Sequence, residues 1–450
     1  MNLETTVEKL PASAVKLTIT IPQTDVQQSY DQLVIKYTKS AQVKGFRKGK
    51  VPRDILERKF GPALKGEALQ ELVEASLGEA FESIEERPLP YARPALQEED
   101  LELDTTKDLT FSVTYDVFPT VEPGAYTGLT VTEPKVKLTK ADEDKELEDL
   151  RQRSGLVIDK EDAPIEEGDM LTLTVSELDD NETTIEGTRQ ESYQVVVGQP
   201  NYYGIDEEVR GLKQGESTVI DKTYPEDHPE EALRGQTRRI GVSVVAVKTR
   251  DLPDLDDDFA QDINDEFETI DDLRKDIRKK LEKTVAERVR GAKIEDLMNQ
   301  ISENTSLEVP QSMVNSELES SWHGLAEQYR IEPEQLEQLL QMQGKTRDEI
   351  FEEWRPAAAE RLKKSLITQE LIKKEEITVS PEEAEEQIRQ DAAERNGDGE
   401  RILEYYRSNN MLSYVQQELA ERKLFDHLLE QNTIKPGKAM KYMDLIKENE

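Results

Sequence analysis

The sequence predicts a multidomain α+β protein: an α+β N-terminal domain, a small antiparallel β domain and an elongated all-α C-terminal domain. Three observations carry this. The chain has 450 residues, more than one hydrophobic core organises, which favours roughly two to four domains. Its apolar periodicity changes along the chain, from mixed to period two to helical. Hydrophobic and charged residues each make up 35% and the mean hydropathy is −0.75, which places much helical surface in water and suits an elongated shape.

The first domain spans residues 1–115. From Ala14 to Pro22, Val15, Leu17, Ile19 and Ile21 alternate with Lys16, Thr18 and Thr20, the period of a half-buried strand. Thr24 with Gln27 then reads as a capping box, and Val26, Tyr30, Leu33, Val34 and Tyr37 recur at helical spacing. Residues 55–60 read as a short helix and Ala63 to Ile84 as a longer one. Leu109 to Val117 alternates again.

Residues 116–160 read as a linker, broken by Pro119, Pro123, Gly124 and Gly128 and carried on by an acidic helix at 139–153. Residues 161–248 switch to short alternating strands, with Leu171, Leu173 and Val175, then Tyr193, Val195 and Val197, then Ile240, Val242, Val244 and Val247. Residues 249–450 are helical. Thr269 and Asp272 cap a run through Ile270, Leu273, Ile277 and Leu281, and Ser380-Pro381-Glu382-Glu383 opens a later helix. Pro310, Pro333 and Pro356 mark further starts or kinks.

Several chemistries are excluded. There is no cysteine, hence no disulfide, iron–sulfur site or thiol nucleophile. His228, His323 and His427 are scattered and read as packing or solvated groups. No P-loop, dinucleotide fingerprint or catalytic triad is present, and Asp256, Asp257 and Asp258 lack calcium-loop spacing. No cofactor is expected. No stretch approaches the roughly 18 apolar residues of a membrane span, and Met1 to Pro22 lacks the basic start and apolar run of an export signal. A cytoplasmic location without membrane or DNA partners is therefore expected, since the net charge of −38 opposes general nucleic-acid binding.

One stretch departs from that average. Between Lys36 and Lys65 lie ten Lys or Arg against Asp54 and Glu57, a local excess of +8. Inside it stands Gly45-Phe46-Arg47-Lys48-Gly49-Lys50-Val51-Pro52. Gly45 and Gly49 permit a tight exposed loop, and Pro52 suits the first turn of a helix. Arg47, Lys48 and Lys50 offer cations to phosphates or carboxylates, with Phe46 as an apolar anchor.

This loop resembles that of the trigger factor family, Gly-Phe-Arg-x-Gly-Lys-x-Pro, at Gly45, Phe46, Arg47, Gly49, Lys50 and Pro52. The resemblance covers the chain in order: an α+β ribosome-binding domain, an FKBP-like domain and a helical domain with two arm-like hairpins. Val309-Pro310 with Val314 and Glu317 is similar to the family's arm segment. It implies docking beside the exit tunnel of the bacterial ribosome, against a ribosomal protein and nearby rRNA. The expected partners are the ribosome, nascent and unfolded polypeptides, and a second copy of the chain as a homodimer off the ribosome.

FKBP-like isomerases turn an X-Pro bond in an aromatic, water-poor pocket, against a barrier of roughly 20 kcal/mol. Gly168-Asp169, Gly204, Gly211, Lys213, Gly215-Glu216 and Tyr224-Pro225-Glu226 resemble that domain. The pocket pattern departs from it. Asp-Phe-x-Gly is replaced by Thr174, Val175, Ser176 and Glu177, Pro-Gly-Phe-Glu by Tyr203, Gly204, Ile205 and Asp206, and a tyrosine by His228. The candidate pocket is Tyr202, Tyr203, Ile205, Tyr224 and His228, and whether it is active stays open.

Chaperones for unfolded chains use adaptable apolar surface to which Met is suited. Met298, Met313, Leu318, Leu325, Tyr329 and Met342 are the candidate nascent-chain contacts, with Met411, Leu339 and Leu340 nearby. Three readings stand side by side: a ribosome-associated holdase and folding chaperone that needs no ATP, a prolyl isomerase whose other domains recruit substrate, and a helical adaptor with a basic docking loop.

Overall fold

The computed structural model describes residues 1–43, 46–47, 49–98, 101–179, 181–227, 233–342, 344–394 and 397–447. The chain opens with strands β1 (Glu4–Lys9) and β2 (Ala14–Ile21) and helices α1 (Gln23–Ser40) and α2 (Arg53–Ser83). Strands β3 (Ala95–Leu96) and β4 (Leu109–Asp116) complete an antiparallel sheet of order β1-β2-β4-β3. The alternation is realised on both central strands: Val15, Leu17 and Ile19 stand opposite Tyr115, Val113 and Phe111, and all six are buried against α1 and α2 in one core. Val26, Tyr30, Leu33 and Val34 form the buried stripe of α1.

Two local expectations are corrected here. Residues 55–60 and 63–84 belong to one helix of 31 residues with Pro62 inside it. Proline removes the N–H that would bond Arg58 and costs about 3 kcal/mol in a helix interior. Leu56 and Leu64, before and after it, are both buried in the same core, and that shared burial holds the helix together across the break. The Thr24 capping box does not form. Helix α1 begins two residues earlier, with Pro22 as N-cap, and the Gln23 N–H is taken by Asp108 Oδ1 at 2.7 Å.

The middle of the chain contains β5 (Thr130–Lys137), α3 (Lys140–Ser154), β6 (Leu156–Asp159), β7 (Met170–Leu178), β8 (Gln190–Val196), α4 (Asp206–Val209), β9 (Ser217–Thr223) and β10 (Thr237–Asp251). Strands β6, β10, β7 and β8 are neighbours in that order, and β9 also pairs with β10, giving five strands. The alternating residues of β7 and β10 form its core with Val195, Val197 and Ile220.

Beyond lie α5 (Asp257–Ile263), α6 (Ile270–Asn304), α7 (Gln311–Gln328), α8 (Pro333–Met342), α9 (Arg347–Lys374), α10 (Pro381–Glu394), α11 (Gly399–Ser408), α12 (Leu412–Glu430), β11 (Thr433–Lys441) and α13 (Tyr442–Lys447). The Thr269 N–H donates to Asp272 Oδ2 at 3.2 Å and the Asp272 N–H to Thr269 Oγ1 at 3.3 Å, and the Ser380 N–H donates to Glu383 Oε2 at 2.9 Å and the Glu383 N–H to Ser380 Oγ at 3.2 Å, so both capping boxes form. Pro310 is the N-cap of α7, Pro333 opens α8 and Pro356 lies inside α9. The unexpected element is β11, which pairs with β5. Each contains a proline, Pro436 and Pro134, tolerable because each strand of a two-stranded ribbon keeps one free edge.

The chain divides into two compact units, one of residues 1–133 with 291–437 and the other of 134–290 with 438–450. In the first, Leu89, Val121 and Val131 are buried with Leu297, Leu366 and Leu424 in a second core. Polar bonds reinforce it. The Ser312 N–H donates to Asp116 Oδ2 at 2.9 Å, the Gly124 N–H to Thr305 Oγ1 at 3.0 Å, and the Tyr126 hydroxyl to Glu375 Oε1 at 2.8 Å. In the second, Leu147 packs with Phe259, Leu273 and Ile277, and Arg274 pairs with Asp144 at 2.6 Å.

Candidate functional site: the basic loop and the tyrosine cluster

The segment joining α1 to α2 is pinned at two points. Val43 and Val51 are buried in the same core as β2 and β4, and between them Phe46, Arg47 and Lys50 turn outward. The Phe46 N–H donates to the Val43 carbonyl at 3.0 Å and the Lys50 N–H to the Arg47 carbonyl at 2.9 Å. Gly49 has φ +79°, a conformation open to glycine at little cost. Gly45 and Lys48 lie outside the described residues.

What this turn presents is an unpaired mixture. Phe46 is 41% exposed, and Arg47 and Lys50 are exposed. Among the described residues, neither cation has an acidic partner, unlike others in the basic stretch. Lys36 pairs with Glu71 at 2.9 Å, and Arg53 with Asp31 at 2.6 Å and Glu57 at 2.8 Å. Hydrogen bonds donated to Glu57 and then to Asp31 hold the Arg53 guanidinium above its ordinary pKa. Two of the helix cations are thus held by carboxylates, whereas Arg47 and Lys50 at the loop are not. Pro52 is the N-cap of α2, one position before the first turn.

The tyrosines of the β sheet form a packed cluster. Tyr203, Ile205 and Tyr224 are buried in the sheet's core, and the Tyr224 hydroxyl donates to the Tyr203 carbonyl at 3.0 Å. Burial pushes the Tyr224 phenol up to about 12 and also raises Tyr203. Tyr202 alone of the described candidates is at the surface, edge-on to Tyr203 with centroids 4.8 Å apart. His228 lies outside the described residues. Glu177, standing where the FKBP-like pattern has glycine, pairs with Arg238 at 2.5 Å. Tyr193 belongs to the cluster and was not among the candidates; its ring meets Tyr203 edge-on at 5.6 Å. The alternation with Val195 and Val197 was the signal that could have found it.

The helical candidates divide. Met298, Met313 and Leu318 are buried in cores, which corrects their reading as contact surface: each falls on the inward stripe of its helix. Leu325 is half-buried beside Trp322. Tyr329 and Met342 are exposed, Met342 at 78%. Met342 and Leu339 edge an open groove of about 640 Å³ with Ile331 and three glutamines. Beneath it, Trp322 meets Phe351 edge-on at 6.0 Å, and Arg347 lies 4.7 Å from the Phe351 ring. Packed aromatics thus adjoin an apolar rim of Leu and Met, side-chain types that adapt to varied partners.

Among the described residues, no group of acidic or histidine side chains could hold a metal ion, and no helix is long and apolar enough to cross a membrane.

Two family models match the chain: "Bacterial trigger factor protein (TF)" over residues 3–150 and "Bacterial trigger factor protein (TF) C-terminus" over residues 269–430. The five-stranded sheet lies between them. Trigger factor of Treponema denticola is 39% identical, over 100% of both chains. That of Treponema pallidum is 31% identical, over 100% of this chain and 99% of its own. A solved structure, described as "Promiscuous Substrate Recognition in Folding and Assembly Activities of the Trigger Factor Chaperone", is 20% identical, covers 95% of this chain and 99% of its own, and superposes with a TM-score of 0.46.

Proposed function

The chain belongs to the trigger factor family, and on that premise we infer that it is a ribosome-associated chaperone that binds nascent polypeptides and assists their folding without ATP. The observation that carries the docking assignment is the pinned loop. Val43 and Val51 are buried while Phe46, Arg47 and Lys50 between them are exposed. Cations without acidic partners beside an exposed aromatic suit rRNA phosphates and acidic side chains near the exit tunnel.

We assign residues 1–115 to docking and 249–450 to holding unfolded chains, with Tyr329, Leu339 and Met342 as the apolar contacts. The site of action is the bacterial cytoplasm, partly on the ribosome. The same proposal extends, on family resemblance, to a homodimer off the ribosome, which sedimentation velocity would detect. Prolyl isomerisation is the second reading for residues 161–248. Burial of Tyr203, Ile205 and Tyr224 favours a packed core over an open pocket, so the chaperone reading leads.

Ribosome co-sedimentation tests the docking assignment. Replacing Phe46, Arg47 and Lys48 with Ala should release the protein from ribosomes by at least tenfold without changing its melting temperature; unchanged pelleting would overturn it. A protease-coupled proline-peptide assay separates the isomerase reading, since a rate equal to buffer removes it and leaves chaperoning untouched.

A further inference from the structure

Strand β6 carries three consecutive large apolar residues, and none is covered. Leu156 is 71% exposed, Val157 49% and Ile158 45%. No residue of β6 enters the sheet's core. The strand is at an edge: it pairs antiparallel with β10 through Val157↔Arg250 and Ile158↔Thr249, and among the described residues no strand pairs its other side.

The ladder phase tells which backbone groups are free. The Lys160 N–H donates to the Val247 carbonyl at 2.8 Å. Antiparallel residues alternate between bonded and non-bonded pairs, so Ile158 and Leu156 face β10 with their amides. Val157 and Asp159 turn their N–H and C=O outward. An exposed row of this kind is a template for another strand, and natural edges are usually blunted by lysine, proline or a covering element. Among the described residues, the outward side of β6 has none of these.

We propose that β6 is a strand-addition site for an extended, β-branched segment of an unfolded polypeptide flanked by Lys or Arg. Charge decides the occupant. Glu161 and Asp162 follow the strand, Asp251 stands opposite its first residue, all three are exposed, and among the described residues none has a cationic partner. The nearby cations are engaged: Lys248 lies 3.8 Å from Asp159, and Arg250 donates to the Gln152 carbonyl. A second copy would bring the same carboxylates together on chains of net charge −38, whereas a lysine-flanked segment places cations on them. Main-chain bonds supply sequence-tolerant affinity, and Leu156 and Ile158 meet alternate side chains of the guest. The proposal rests on the chaperone reading for the supply of extended chains and on β6 alone for the site.

The test uses the full chain and a fluorescent synthetic peptide with a Val/Ile/Thr run of about six residues between lysine pairs. Val157→Pro removes the outward N–H and spares the bonds to β10, a substitution edge strands tolerate. Peptide affinity should fall at least tenfold in this variant, and in the wild type hydrogen exchange should slow on peptide binding at Val157 and Asp159. A glutamate-flanked peptide should bind at least tenfold more weakly. Unchanged affinity in Val157→Pro, or binding without protection of Val157, overturns the site. Equal binding of both peptides overturns the charge assignment, and peptide-free dimers lost in Val157→Pro would give the edge to a second copy. Suppression of aggregation of an unfolded client by wild-type protein, measured alongside, reports on the chaperone reading separately.

Discussion

The Tyr224 hydroxyl donates to the Tyr203 carbonyl over 3.0 Å, and both side chains are buried. The bond satisfies a buried acceptor next to Gly204, so the phenol holds the turn. Tyr224→Phe should lower the stability of this unit by about 1 kcal/mol, read as a lower urea midpoint with an unchanged slope. Any proline isomerisation rate should stay at its wild-type value. A slower rate at unchanged stability would instead make the phenol a pocket group.

Tyr115 and Tyr224 share a pH consequence. Burial, ahead of nearby carboxylates and phenols, pushes both phenols up from 10 to about 12. A group whose pKa is raised by folding stabilises fully below its unfolded value and loses that contribution as pH rises through the folded one. Stability should therefore be level up to about pH 9 and fall between about pH 10 and 12, in urea titrations at each pH. Replacing both residues with Phe should flatten that fall.

Gly49 separates the loop's shape from its chemistry. Its φ of +79° costs an L-residue about 1–2 kcal/mol, while among the described residues a Cβ would meet the Lys39 carbonyl oxygen alone, at 3.6 Å. Gly49→Ala should weaken ribosome co-sedimentation severalfold although every loop cation is retained. Binding of the wild type should drop steeply between about 50 and 200 mM salt, as contacts to phosphates do.

Glu375 ties residues near Tyr126 to α9 and α12. The Tyr126 hydroxyl and His427 Nε2, at 2.8 and 3.1 Å, engage its two oxygens, and the Tyr126 bond leads in holding its pKa below the ordinary 4.5. A depressed carboxylate stabilises above its unfolded pKa and loses that contribution as pH falls through the folded one. Glu375→Gln should thus be less stable than wild type at pH 7, and the difference should shrink as pH falls below the ordinary Glu value of about 4.3, as read by thermal melts.

Gly124 tests the packing of the first unit. A Cβ there would lie 2.2 Å from the Asn304 carbonyl oxygen, which is backbone and cannot swing aside. Gly124→Ala should cost about 1–3 kcal/mol, measured by equilibrium unfolding.

How much of this was readable in sequence depended on whether the signal was local. Strands β2 and β4 were, because alternation of Val15, Leu17 and Ile19 encodes a face directly. Strand β1 was not: it is almost wholly exposed and follows β2 by pairing alone. The split of α2 at Pro62 failed because local propensity was outweighed by burial of Leu56 and Leu64 on either side. The loop was legible because glycine, aromatic and cations each have a use at their own positions, whereas its anchors Val43 and Val51 look like any valine. Composition could mark Met298 and Met342 as apolar helical residues. Only packing shows that the first is inside and the second outside.

The first unit is assembled from the two ends of the gene product. Leu89, Val121 and Val131 share a core with Leu297, Leu366 and Leu424, so during synthesis the early half waits for the late half. At roughly 5–20 residues per second, the delay is about 15–60 s for about 300 residues. Through that interval Leu89, Val121 and Val131 lack their later partners, and a molecule that guards incomplete chains is for that time one itself.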